Sequence, residues 1–120
     1  MSFNSDLKRF AKSTDVALDM AVRKIAFDAF GMITKKTPVD TGRARANWNV
    51  SVDSVDRSVD EEATKIQTPD INKGDGLKPI FIVNSLDYIQ DLENGMPDGS
   101  RQAPDGMVAV TMNELRNSFN

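Results

Sequence analysis

From Asn4 to Lys36 the chain runs without a proline and with a single glycine, Gly31. A run of that length is too long for a strand, and its apolar residues carry a helical period. Phe3, Leu7, Phe10, Leu18, Ala21, Ile25, Ala29 and Met32 recur at three- and four-residue steps, with one break at Thr14, which is the repeat of one helix face. Asn4 or Ser5 can cap the start, and Lys35 and Lys36 suit the negative end of the helix dipole. Pro38 drives the residue before it out of helical geometry. The spacing predicts one long helix over residues 1–36. Ser13-Thr14-Asp15 is where it would kink, because such side chains compete for backbone donors.

The second half of this helix carries a further apolar set: Val16, Met20, Val22, Ala26, Phe27, Phe30 and Ile33. Its hydrophobic surface therefore wraps well beyond one stripe. Two arrangements satisfy that pattern. The helix is either buried centrally in its own domain, or covered by its own sheet on one side and by a neighbouring subunit on another.

Residues 37–47 read as a turn-rich connector, with Pro38 fixing one φ, Gly42 open to positive φ, and Asp40 and Thr41 able to cap the next element. Trp48-Asn49-Val50-Ser51-Val52 alternates at period two and opens a strand region over 48–84, with Trp48 as a core anchor. Within it, 53–79 is a long acidic excursion, with a helical turn or short strand near Ala63–Gln67. A loop of that length in a small domain is more often functional than accidental. Ile80-Phe81-Ile82-Val83 reads as a strand covered on both faces. A short helix comes next over 85–95, stopped by Asn94-Gly95, then a loop over 96–106. Val108, Met112, Leu115 and Phe119 mark an amphipathic helix over 107–119. The expectation is a single α+β domain spanning 1–120: a long N-terminal helix packed on a small, mostly antiparallel sheet, with a short helix and a C-terminal helix.

With 120 residues, no cysteine and no histidine, disulfide frameworks, thiol nucleophiles, zinc ribbons, His-ligated metals and Ser-His-Asp triads are excluded. No cofactor is expected. The first residues lack a basic start followed by an apolar run, so no secretory signal is expected, and Val16–Ile33 is too short and too charged to span a bilayer. The net charge of −3 hides a split. Residues 1–45 carry nine Lys/Arg against five Asp/Glu, and residues 46–120 carry six against thirteen. A chain polarised in this way can stack head to tail, or simply solvate two faces.

Candidate chemistry is sparse. Asp87 with Asp91, or Asp60 with Glu61 and Glu62, could serve as acid/base pairs or calcium ligands, which keeps a carboxylate-based hydrolase in view. The 70–76 segment lacks the closing Glu of an EF-hand, and neither Gly-containing turn has a P-loop pattern. Arg43 and Arg45, with Lys35 and Lys36 nearby and Trp48 just beyond, admit a small nucleic-acid-binding regulator, although one such cluster in an acidic chain more often forms salt bridges across an interface.

Three segments together resemble a known family. Thr37-Pro38-Val39-Asp40-Thr41-Gly42-Arg43-Ala44-Arg45-Ala46-Asn47-Trp48, after a long helix, is similar to the Pro, Asp-Thr-Gly, Arg, Ser/Asn, aromatic signature of the HK97 gp10-like proteins of tailed bacteriophages. Asn84-Ser85-Leu86-Asp87-Tyr88-Ile89-Gln90-Asp91-Leu92-Glu93-Asn94-Gly95 resembles that family's Asn, Tyr, Leu-Glu, Gly pattern. Ala103-Pro104-Asp105-Gly106-Met107-Val108 resembles its Pro-x-Gly-Met approach to the last helix. Ala44 stands where the family commonly has leucine, and Ile89 where a small residue is usual.

The resemblance implies a non-enzymatic virion protein of the neck, made in the host cytoplasm. It implies a ring, commonly hexameric, between the head connector or head-closure protein and the tail terminator or tail tube, with DNA passing through the lumen without specific binding and no membrane involved. A tail terminator is the same-class alternative. On this view Phe27, Phe30, Arg43, Arg45, Tyr88 and Glu93 are subunit-interface candidates, Pro38, Asp40, Thr41 and Gly42 form a structural turn, and acidic 53–62 faces the DNA conduit.

Overall fold

The computed structural model describes residues 3–39, 42–71, 78–94 and 106–118. Helix α1 spans Phe3–Lys36, followed by α2 (Arg43–Ala46), strands β1 (Asn49–Val52) and β2 (Ile80–Val83), α3 (Ile89–Glu93) and α4 (Val108–Ser118). The strands pair antiparallel as a two-stranded sheet, with Asn49 opposite Val83 and Val52 opposite Ile80. This is the expected α+β arrangement.

The core lies at one end of α1. Phe30 and Ile33 meet Ala44, Trp48, Leu86, Leu92 and Met107, with Val50, Ile82, Tyr88, Ile89 and Val108 packed around them. The buried positions Ala26, Ala29, Phe30, Ile33 and Thr34 keep a three- and four-residue step and form one stripe on the last three turns. α1 touches β2 and α4 through this part. The helix would be about 51 Å long at 1.5 Å per residue, much longer than the core it serves. The molecule accordingly measures 67 × 33 × 18 Å, with a radius of gyration of 17.9 Å, where a compact chain of this size would have about 14 Å.

α1 continues through Ser13-Thr14-Asp15 as the expected single helix. Several local expectations are corrected. The connector contains a helical turn, α2, closed by the Ala46 amide on the Gly42 carbonyl at 3.0 Å; four residues are too few to show a period. β2 is half-buried along its whole length rather than covered on both faces, because a two-stranded sheet packs only one side. Ala63–Gln67 forms neither helix nor strand; the chain there makes only a turn, with the Ala63 amide on the Asp60 carbonyl at 3.2 Å. α3 starts at Ile89, since Asn84–Tyr88 is occupied by a side-chain-capped turn in which Asn84 Oδ1 accepts from the Leu86 amide at 3.1 Å. No helix among the described residues is long and apolar enough to cross a membrane.

Candidate interaction surfaces

The 37–48 segment ties the end of α1 to the sheet and to the C-terminal half of the chain. The Thr37 amide closes the helix on the Ile33 and Thr34 carbonyls, and its fully buried hydroxyl donates to the Ile33 carbonyl at 2.7 Å. The same oxygen accepts from Trp48 Nε1 at 2.9 Å. Arg45 donates to the Thr37 carbonyl at 2.6 Å and to the Lys35 carbonyl at 2.9 Å. Its guanidinium thus satisfies terminal carbonyls at the negative end of the helix, where a cation is most favourable. Arg43 sits 3.4 Å from Glu61. Gly42 takes φ 87°, and a Cβ there would lie 2.7 Å from the Thr64 carbonyl oxygen, so close backbone approach and left-handed geometry both require glycine. Pro38 is half-buried. Asp40 and Thr41 lie outside the described residues.

Asn47, the Ser/Asn position of the signature, organises the long excursion, a role that no local pattern in the sequence shows. Only 2% exposed, its amide donates to the Arg43 and Asp60 carbonyls at 2.9 and 3.0 Å, and its Oδ1 accepts from the Asp60 amide at 2.8 Å. Asn49 adds a donor to the Ser58 carbonyl at 2.7 Å. Within the loop, the Asp56 carboxylate accepts from the Ser58 hydroxyl at 2.7 Å and the Ser58 amide at 2.9 Å. These bonds, the hydroxyl first, hold Asp56 below its ordinary value of 3.8 by favouring the charged form.

Glu93 has an internal role. Its carboxylate accepts from the Met107 and Val108 amides, both at 2.9 Å, and from the Ala109 amide at 3.0 Å. It is an anionic cap on the first turn of α4, supplied from α3. Gly106 takes φ 89° against this carboxylate, where a Cβ would approach Glu93 Oε2 to 2.6 Å. Tyr88 is half-buried against the core. Asn84 donates to the Ala44 carbonyl at 2.9 Å, joining α2 to the end of β2.

The interface candidates therefore separate by place. Phe30 is inside the chain's own core at 6% exposure, whereas Phe27 is 49% exposed. Arg43, Arg45, Tyr88 and Glu93 all make contacts within the chain. Trp48 is buried and its indole N–H is engaged, so it offers no face on which a base could stack. Asp87 and Asp91 are both exposed, and no cluster of metal-ligating side chains occurs among the described residues.

α1 also leaves large apolar side chains uncovered among its exposed charged residues. Val16, Leu18, Met20, Ile25 and Phe27 are all exposed. Val16, Met20, Phe27 and Gly31 fall at i, i+4, i+11 and i+15 along one flank, and Leu18, Ile25 and half-buried Met32 fall at heptad spacing along the other. At the core end, the first flank opens into a groove of about 480 Å³ between α1 and α4, lined by Phe27, Gly31, Met32, Lys35, Glu114 and Leu115. Lys36 and Glu114 pair across the two helices at 3.0 Å.

Compared with known proteins, residues 2–95 match the HK97-gp10_like sequence family, described as "Bacteriophage HK97-gp10, putative tail-component". No curated protein and no solved structure matches.

Proposed function

The chain belongs to the HK97-gp10-like family of phage tail components, and from that membership we propose that it is a non-enzymatic subunit of a ring in the virion neck, joining the head connector to the tail. The observation that carries this reading is the length of α1 that its own core leaves uncovered, with five large apolar side chains exposed along it. A lone chain seldom displays so many large apolar side chains along one helix, and a neighbouring subunit is the economical cover. The motif residues make the fold stiff at the root of this helix. Thr37, Arg45 and Trp48 lock its end, so that whatever docks along α1 is held at a defined angle to the sheet and to α4.

The partners on this reading are further copies of the chain, the head connector or closure protein on one side and the tail terminator or tube on the other. The test is a phage lacking the protein. The expected result is filled heads and tails of normal length that fail to join, together with a ring at the neck of wild-type particles in electron-microscopy maps. Tails of uncontrolled length would assign the terminator role instead, and purified virions without the chain would overturn the reading.

A further inference from the structure

We propose that two copies of this chain pair through the outer edge of β2, antiparallel about a two-fold axis at Phe81, to make one four-stranded sheet. The contact goes beyond the ring reading and does not rest on it, because an isologous contact joins copies in pairs and cannot close a ring by itself.

The hydrogen-bond pattern of the sheet determines which main-chain groups are left over. The Asp53 amide donates to the Pro79 carbonyl at 2.8 Å, one position past the end of the ladder. Bonded and non-bonded pairs alternate along an antiparallel ladder. In the observed register Ser51–Phe81 and Asn49–Val83 are therefore the bonded pairs, and Val52–Ile80 and Val50–Ile82 the non-bonded ones. The N–H and C=O groups of Ile80 and Ile82 thus point away from β1, and they meet no partner among the described residues.

The two edges of the sheet differ. Residues 54–60 run back along β1, where Ser51 donates to the Ser54 carbonyl, Asn49 to the Asp56 and Ser58 carbonyls, and Asn47 engages both the amide and the carbonyl of Asp60. Among the described residues no such bonds reach Ile80–Val83 from outside the sheet. β2 also lacks the devices that blunt an edge strand. Residues 79–86 contain no charged side chain. Pro79 sits opposite Asp53, so the N–H it lacks would have faced β1 rather than the open side.

A second copy of β2 is the occupant that fits. An edge offering N–H and C=O at alternate residues needs an extended chain offering the same, and β2 is complementary to itself. With Ile80 of one copy opposite Ile82 of the other, each exchanges both bonds, and the two-fold axis repeats them. This register uses every outward group of the strand and sets Phe81 against Phe81, where an aromatic cross-strand pair adds to the contact. The uncharged 79–86 stretch brings no like charges together at the axis. Pairing also extends a two-stranded sheet, which is marginal alone.

Amide exchange of the unmodified protein, followed by NMR, tests the edge directly. In dilute solution the Ile80 and Ile82 amides should exchange faster than those of Phe81 and Val83 in the same strand. On concentration the first two should slow about tenfold once about nine in ten copies are paired, since only unpaired copies then exchange. The absence of cysteine allows a check of register. Phe81→Cys should oxidise to a disulfide-linked pair, because opposed residues at a non-bonded site bring their Cβ atoms to about 4.5–5.5 Å. Val83→Cys, on the same face of the same strand, lies opposite residue 79 of the other copy and should not. Protection of Ile80 and Ile82 in the dilute monomer would mean that the chain completes this edge itself, and fast exchange at every concentration would mean that nothing does. Either result, or equal cross-linking at 81 and 83, overturns the proposal. Particles without a ring leave this contact standing.

Discussion

Two carboxylates show how differently one side-chain type acts in this protein. Glu93 is half-buried and receives three backbone amides at the start of α4, so Glu93→Ala leaves the first turn of that helix without its acceptor. A loss of about 2 kcal/mol is expected, at the upper end of measured cap deletions, read from urea unfolding. Asp56 is fully exposed, and its carboxylate is tied to Ser58. Its carboxyl is depressed in the folded chain, so its contribution is present above pH 3.8 and lost as pH falls through the lowered value. The Ser58 amide resonance, tracked by NMR on acidification, should therefore move later than those of amides beside ordinary carboxylates. Neither role was legible in the sequence. Glu93 lies 14 residues from Met107, and nothing local marks Asn47 as the residue that fixes Asp60 from 13 positions away. Arg45 was visible only as a charge, and its partners are carbonyls, which leave no signature in a sequence.

At the scale of elements, the helix and strand periods were readable because burial writes them into the chain. α1, β1 and α4 occur where the three-to-four or two-residue repeat placed them, and β2 where the continuous run of β-branched and aromatic residues placed it, with ends shifted by a few residues. α2 escaped because four residues cannot show a repeat. The apolar wrap of α1 announced excess hydrophobic surface but could not say which face turns inward, since every face carries large residues. Packing decides it, and sets Phe30 and Phe27 apart. Phe30→Asp places a charge in the core and should abolish cooperative thermal unfolding. Phe27→Asp should leave the melting transition within about 1 kcal/mol of wild type, as surface changes usually do, while preventing association beyond pairs, measured by sedimentation.

For the whole molecule, shape is the informative quantity. Small-angle scattering of the dilute protein should give a radius of gyration near 17.9 Å, well above the roughly 14 Å of a compact chain of equal length. A value near the lower figure would mean that α1 folds back on its own core. The charge polarity visible in the sequence acquires a location in the fold, with the surplus of cations along α1 and the surplus of anions on the excursion after β1. The expectation of a ring came from the family signature, but most of that signature's residues hold the subunit together and do not themselves form its outward surface.

Glu93 and Gly106 have one more consequence, for how this protein can vary in length. The backbone departs after Asn94 and returns at Gly106, and one carboxylate clamps departure to return. Each doubling of the span between those two posts adds only about 0.6 kcal/mol of closure entropy, so an epitope spliced there should report the protein's position in a particle at little cost in stability.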